Sequence, residues 1–367
     1  MRRLARIRMF ALLALATLLA GCAAGLTLPT GVVYPSIKLD ATVKDDLTIS
    51  HSFTFEGKPQ VVDLTVDGSL YAGAQQAQKS VIRFGTAHEN DWIEEYYPAF
   101  VFEKHQDAFF TGLLDEMRRI RDAEALDSDR YVELMCVFAQ SLEYRTDPGD
   151  LSPKFPVETF VERAGDCDDK TLLLGGMLAH EGYDVAVMLF EAEQHVALGI
   201  RADALEYDAS GYALVETTTG GFVGMVPDSV GDGTTLSSEP QVFALGTGTA
   251  RYSSASQVKE ILSQADALEA RATKLGEEIA QADAELTTLE AAANNLHAQL
   301  DALSGDPTAY NALLPSYNAA AGKFNAAVAA RNAIVEKHNS LVQAYTYIAE
   351  HLDDRVGVVA YLRDHQL

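Results

Sequence analysis

The residue types of nucleophilic catalysis occur once in this chain in a suggestive order: a cysteine, a histidine and a carboxylate, each on its own element. Cys167 sits in Gly165-Asp166-Cys167-Asp168-Asp169-Lys170, just before the run Thr171-Leu172-Leu173-Leu174-Gly175-Gly176-Met177-Leu178. Asp166 can cap a helix whose first turn holds Cys167, with the leucines and Met177 as its apolar side. Unpaired backbone N–H groups and the positive dipole end surround such a turn, which predicts thiolate over thiol at Cys167. His195 lies seventeen residues beyond Leu178 and opens the strand-like run His195-Val196-Ala197-Leu198-Gly199-Ile200. Glu216 belongs to a further strand, Tyr212-Ala213-Leu214-Val215-Glu216-Thr217. Taken singly, each reads as well as a buried helix residue, a strand surface residue and a solvated acid.

The surrounding motifs add to the order. Phe138-Ala139-Gln140-Ser141-Leu142-Glu143-Tyr144 precedes Pro156-Val157-Glu158-Thr159, followed by the cysteine helix, His195-Val196-Ala197-Leu198-Gly199 and Glu216-Thr217-Thr218. This series resembles the transglutaminase-like superfamily, in particular a group of archaeal and bacterial transglutaminase-like cysteine proteases with a C-terminal coiled coil. The resemblance covers roughly residues 45–230, and Glu216 stands where the broader superfamily has Asp. It implies a papain/transglutaminase-like core in which Cys167 attacks a carbonyl carbon and His195 moves the proton. Glu216 would orient the imidazole, and Gln140 with the Cys167 backbone N–H would form an oxyanion hole. The product is a thioester; water completes a peptide or isopeptide hydrolysis, and an amine completes a protein crosslink. Hydrolysis is favoured, because it needs no second substrate site. No cofactor is implied, and the substrate is a protein or peptide.

Composition narrows the setting. The chain has 367 residues, 48% hydrophobic and 22% charged, with a formal charge of -25. Such a surface repels nucleic acid and anionic headgroups, so nucleic acid is not an expected partner. Residues 1–22 are basic and then apolar, ending in Leu19-Ala20-Gly21-Cys22. This reads as a lipoprotein signal peptide, with Cys22 lipidated and the protein held outside the cytoplasm on the cell envelope. Cys136 lies in a mostly apolar helical run as a small hydrophobe, and two remaining thiols make no disulfide scaffold.

Positioning these residues calls for an α+β fold. Residues 23–43 read as a tether and 44–230 as the catalytic domain. Within it, a hairpin turns at Gly57-Lys58-Pro59, a weak strand runs over Ser80–Phe84, and residues 91–146 are helical with core aromatics. The strands at 183–190, 195–200 and 212–217 predict an antiparallel sheet packed on the cysteine helix. Residues 219–252 are rich in Gly, Thr and Ser, with the linker proper at 231–252.

The remainder has a different period. From Val258 to Leu303, apolar residues alternate in steps of three and four, a heptad seam of roughly 70 Å of helix. Ser304-Gly305-Asp306-Pro307 stops it. A second helix from about Leu313 to Leu352 carries the same alternation through Tyr317, Phe324, Val328, Val335, Val342 and Tyr345. An antiparallel coiled-coil hairpin over 253–352, followed by a tail at 353–367, is predicted; it offers a place for a protein partner. Asn311, Asn318, Asn325, Asn332 and Asn339 recur every seven residues and either fix register or line a solvated edge. Asp166, Asp168 and Asp169 resemble a calcium-friendly cluster, but acids are favoured at a helix start in any case, and no metal is assigned. The reading from a different class is a catalytically inactive, lipid-anchored scaffold that uses the coiled coil.

Overall fold

The computed structural model describes residues 31–84, 92–146, 152–231 and 233–365. The expected signal segment with Cys22, and the tether up to residue 30, lie outside the described residues. The order begins with β1 (Gly31–Val33), the hairpin β2 (Leu47–Phe55) and β3 (Lys58–Val66), α1 (Gly68–Gln75) and β4 (Ile82–Phe84). β1 pairs antiparallel with β4, so the expected tether holds a strand. The β2–β3 loop is Glu56-Gly57, with φ of 50° and 68°, the doubly positive geometry that suits the strands' twist. Pro59, expected in the turn, lies in β3 opposite Thr54.

Helices α2 (Tyr96–Val101), α3 (Asp107–Ala123) and α4 (Ser128–Ser141) fill the predicted helical region. Phe100, Phe109 and Phe110 are core residues, whereas Phe102 is 42% exposed. β5 (Glu143–Tyr144) pairs in parallel with β6 (Ala164–Gly165) around α5 (Pro156–Glu162), and α6 (Cys167–His180) follows at once. Next come β7 (Val185–Phe190), β8 (His195–Ile200) and β9 (Ala213–Val215), and a strand the sequence reading missed, β10 (Gln241–Leu245). The sheet is antiparallel in the order β10-β7-β8-β9. The supposed linker therefore closes one edge of the sheet, burying Phe243 and Leu245. Gly175 and Gly176 let α6 approach closely. A Cβ at Gly176 would stand 2.4 Å from the Phe110 ring, and one at Gly175 2.6 Å from Leu245.

Helices α7 (Ala255–Ala302) and α8 (Pro307–Glu350) form the predicted antiparallel hairpin. α8 starts earlier than expected, because Asp306 caps it with Pro307 in its first turn. Arg331 meets Asp283 at 2.9 Å, and Tyr317 lies 5.5 Å from His297 between ring centroids, both in one register. The expected α7 seam is inward throughout. On α8 the stripe shifts: Leu341, Ala344 and Ile348 are buried, while Val342 and Tyr345 are about two-fifths exposed. A straight helix drifts against a strict heptad, and here α8 also packs on a further helix, α9 (Arg355–Asp364). All five periodic asparagines are exposed, so they line the solvated edge. Among the described residues no helix is long and apolar enough to cross a membrane.

The predicted C-terminal tail is thus mostly α9, and it anchors the hairpin. Arg355 Nε donates to Glu133 on α4 at 2.5 Å, and Tyr252 Oη donates to the same carboxylate at 2.5 Å. Arg355 also bonds Gln257 on α7, and Asp129 accepts from Ser253 N and Ser254 Oγ. Phe222, Val258, Ile261, Val358 and Leu362 pack around this junction. Arg355→Met leaves the buried Glu133 charge without its cation, so denaturant unfolding is expected to show a loss of about 3 kcal/mol or more. A loss under about 1 kcal/mol would mean that the junction is not cooperative with the core.

Candidate active site

Asp166 begins α6 with a capping box. Its carboxylate accepts from Asp169 N at 3.4 Å, and Asp169 accepts from Asp166 N at 3.3 Å. Asp169 is also bound by Lys154 N at 2.6 Å and by the Lys154 ammonium at 3.4 Å. The acids flanking the cysteine therefore have a local structural task. Carboxylate oxygens of Asp166, Asp168 and Asp169 lie within 4.8 Å of one another, close enough for a cation. Burial, then the hydrogen bond and charge of Asp166, push the Asp168 carboxyl up. Burial and Asp166 push Asp169 up to about 6.

Cys167 is half-buried, and the backbone N–H of Val196, the neighbour of His195 on β8, bears on its sulfur in the sense that favours the thiolate. Burial, then the charges of Asp168 and Asp166, push the thiol up, and the Val196 N–H opposes this without overcoming it. The expected thiolate is therefore corrected to a resting thiol. A helix terminus contributes about 0.3–1 kcal/mol, which desolvation and two adjacent acids outweigh. Among the described residues no hydrogen bond joins this sulfur to His195 or Glu216.

His195 and Glu216 are both buried and paired, with Nε2 to Oε2 at 2.8 Å. Burial pushes the Glu216 carboxyl up, but the bond and charge of His195 and the bonds from Thr218 hold it below its usual value. An ionised carboxylate can only accept, so Nε2 carries a proton; in the neutral imidazole the lone pair is then on Nδ1. The remaining oxygen of Glu216, Oε1, accepts from Thr217 N at 3.0 Å, Thr218 N at 2.7 Å and Thr218 Oγ1 at 2.6 Å. The extra methylene of Glu216 relative to Asp is accommodated. The Nδ1 side of the ring faces Gly231: a Cβ there would stand 4.0 Å from Nδ1 and 3.1 Å from the Tyr144 hydroxyl.

Gln140 is near this pair but not free to act as expected. Its Nε2 donates to the backbone carbonyls of Glu216 at 2.9 Å and Gly221 at 3.0 Å, which uses both amide hydrogens. It holds the Glu216 segment, and neither amide hydrogen is left for an oxyanion. Lys170, Thr171, Thr217 and Thr218 were missed from the sequence. Lys170 and Thr171 stand three and four residues after Cys167, on the same helix face, which was the available signal. Cys136 is a buried free thiol that burial pushes up, as its apolar setting suggested.

The chain matches none of the protein-family models, curated proteins or solved structures with which it was compared. The raised thiol carries a measurable sign. Iodoacetamide labelling of Cys167 is expected to be slow at neutral pH and to climb about tenfold per pH unit to about pH 9 or beyond. Cys136 should lag behind it throughout. A rate that levels off below neutrality would mean a thiolate.

Proposed function

We propose that the protein is a thiol-dependent acyl-transfer enzyme that hydrolyses peptide or isopeptide bonds. The observation that carries this reading is the buried His195–Glu216 pair, its tautomer set by a carboxylate, with the Cys167 sulfur against the next residue of the same strand. Sγ attacks the substrate carbonyl carbon as His195 Nδ1 takes the thiol proton. The oxyanion is met by the backbone N–H of Cys167 at the helix start. The C–N bond then breaks, and His195 passes the proton to the leaving amine, which leaves a thioester. Water, deprotonated by His195, releases the acid and restores the thiol. The protein acts on the cell envelope, held by a lipid on Cys22, with peptide or protein as substrate.

Turnover of a mixed peptide library is expected to vanish in Cys167→Ala and to fall by about 100-fold or more in Glu216→Gln, whose neutral amide no longer stabilises the imidazolium. Full activity in Cys167→Ala would sink the proposal. The length of α7 and α8, 48 and 44 residues, favours a second reading, a binding protein without turnover. Deleting residues 279–299 and 315–335 removes three heptads from each helix in register and spares the α9 junction. An enzyme keeps its turnover in this form; a scaffold has none in either form and loses its partner.

A further inference from the structure

Lys170 is 0% exposed, one turn beyond Cys167 on α6. Its ammonium donates to the backbone carbonyl of Leu142 at 2.9 Å and lies 3.3 Å from that of Gln140. These carbonyls belong to the C-terminal end of α4, where the helix has no partners of its own and a cation is favoured. From the same Gln140, the side chain reaches the Glu216 and Gly221 carbonyls. A continuous chain of hydrogen bonds therefore runs from the cysteine helix, through the end of α4, to the segment bearing Glu216. Thr171, on the next position of α6, adds a parallel link to Val196 O at 3.4 Å and Thr217 Oγ1 at 3.3 Å.

We propose that Lys170 is a positioning residue, whose buried ammonium clamps α4 to the cysteine helix and, through Gln140, sets where Glu216 holds His195. This rests on the acyl-transfer reading for its purpose, but not for its geometry. A full burial of a lysine charge has no packing reason, because a methionine would fill the space. Two main-chain acceptors and a nearby buried anion give it one. Burial lowers the Lys170 ammonium to about 8, against the charge of Glu216, which raises it. Among the described residues Glu216 is the charged group that bears on Lys170, and the Gln140 and Leu142 carbonyls accept its hydrogen bonds. The clamp is thus charged below about pH 8 and neutral above it. Because the folded value lies below that of the unfolded chain, the wild type gains stability relative to Lys170→Met as pH rises from about 8 towards 10.5.

The test follows the imidazole proton of His195 by NMR on the full chain labelled at histidine nitrogens, with His195→Ala and Glu216→Gln to assign it. In the wild type its shift is expected to change with a midpoint near pH 8; in Lys170→Met that step disappears and the resonance moves or broadens. kcat for peptide hydrolysis falls about tenfold in Lys170→Met and in Gln140→Leu with KM little changed, and the double variant is no worse than the worse single one. A folded Lys170→Met with the wild-type resonance and pH profile overturns the proposal, as do losses that multiply in the double variant. The wild-type titration decides the matter even where the variant does not fold: no step near pH 8 counts against the clamp. Absence of turnover in the wild type, with the resonance behaving as described, leaves the clamp standing and removes the enzymatic reading.

Discussion

A carboxylate removed from water persists only when its oxygens are saturated, because an isolated buried charge costs several kcal/mol or more. Glu216 meets that condition with one bond to His195 on Oε2 and three from Thr217 and Thr218 on Oε1. The requirement constrains its neighbours in turn. The Thr217-Thr218 backbone must fold back toward the side chain, and the Glu216 carbonyl is left pointing at Gln140. β9 therefore ends at Val215, earlier than its apolar pattern suggested. The acid's position follows from this local saturation and from the α4 end against which the segment is held.

At the other end of the site, two opposing effects meet on one sulfur. The start of α6 supplies free N–H groups and a favourable dipole, while burial, and after it the neighbouring acids Asp168 and Asp166, push the thiol up. Acids at that point are what the helix itself calls for: Asp166 caps it and Asp169 completes the box. Asp166, which stabilises the helix, thus adds to burial in opposing ionisation of the thiol.

The hairpin is joined to the core by a buried polar junction as well as by apolar contact. Glu133 receives Arg355 from α9 and Tyr252 from the approach to α7, so both ends of the hairpin converge on one carboxylate of α4. The last turn of α4 also holds Gln140 beside the candidate site, which makes this helix a strut shared by the hairpin and the core. Farther out, seam residues of α7 between Ala272 and Leu300 are only partly buried, as two helices alone cannot enclose a seam.

What the sequence determined lies in its local patterns. The α6 helix, strands β7 and β8, and the α7 seam with the stop at Gly305-Asp306-Pro307 were legible, because capping, alternation and heptad spacing act over a few residues. β10 was hidden among Gly, Thr and Ser because its pairing with β7 is long-range; a five-residue strand at a sheet edge has little pattern of its own. α9 was hidden for a similar reason: its anchor is Arg355 on Glu133, over two hundred positions apart. The tertiary structure alone decided that Gln140 spends its amide on the Glu216 and Gly221 carbonyls, that Lys170 lies buried beneath α4, and that Cys167 keeps its proton. Residue type sets what a side chain can donate, accept or ionise to; which partner it finds, and how much water it loses, depends on distant segments that only the folded chain brings within 3 Å or so.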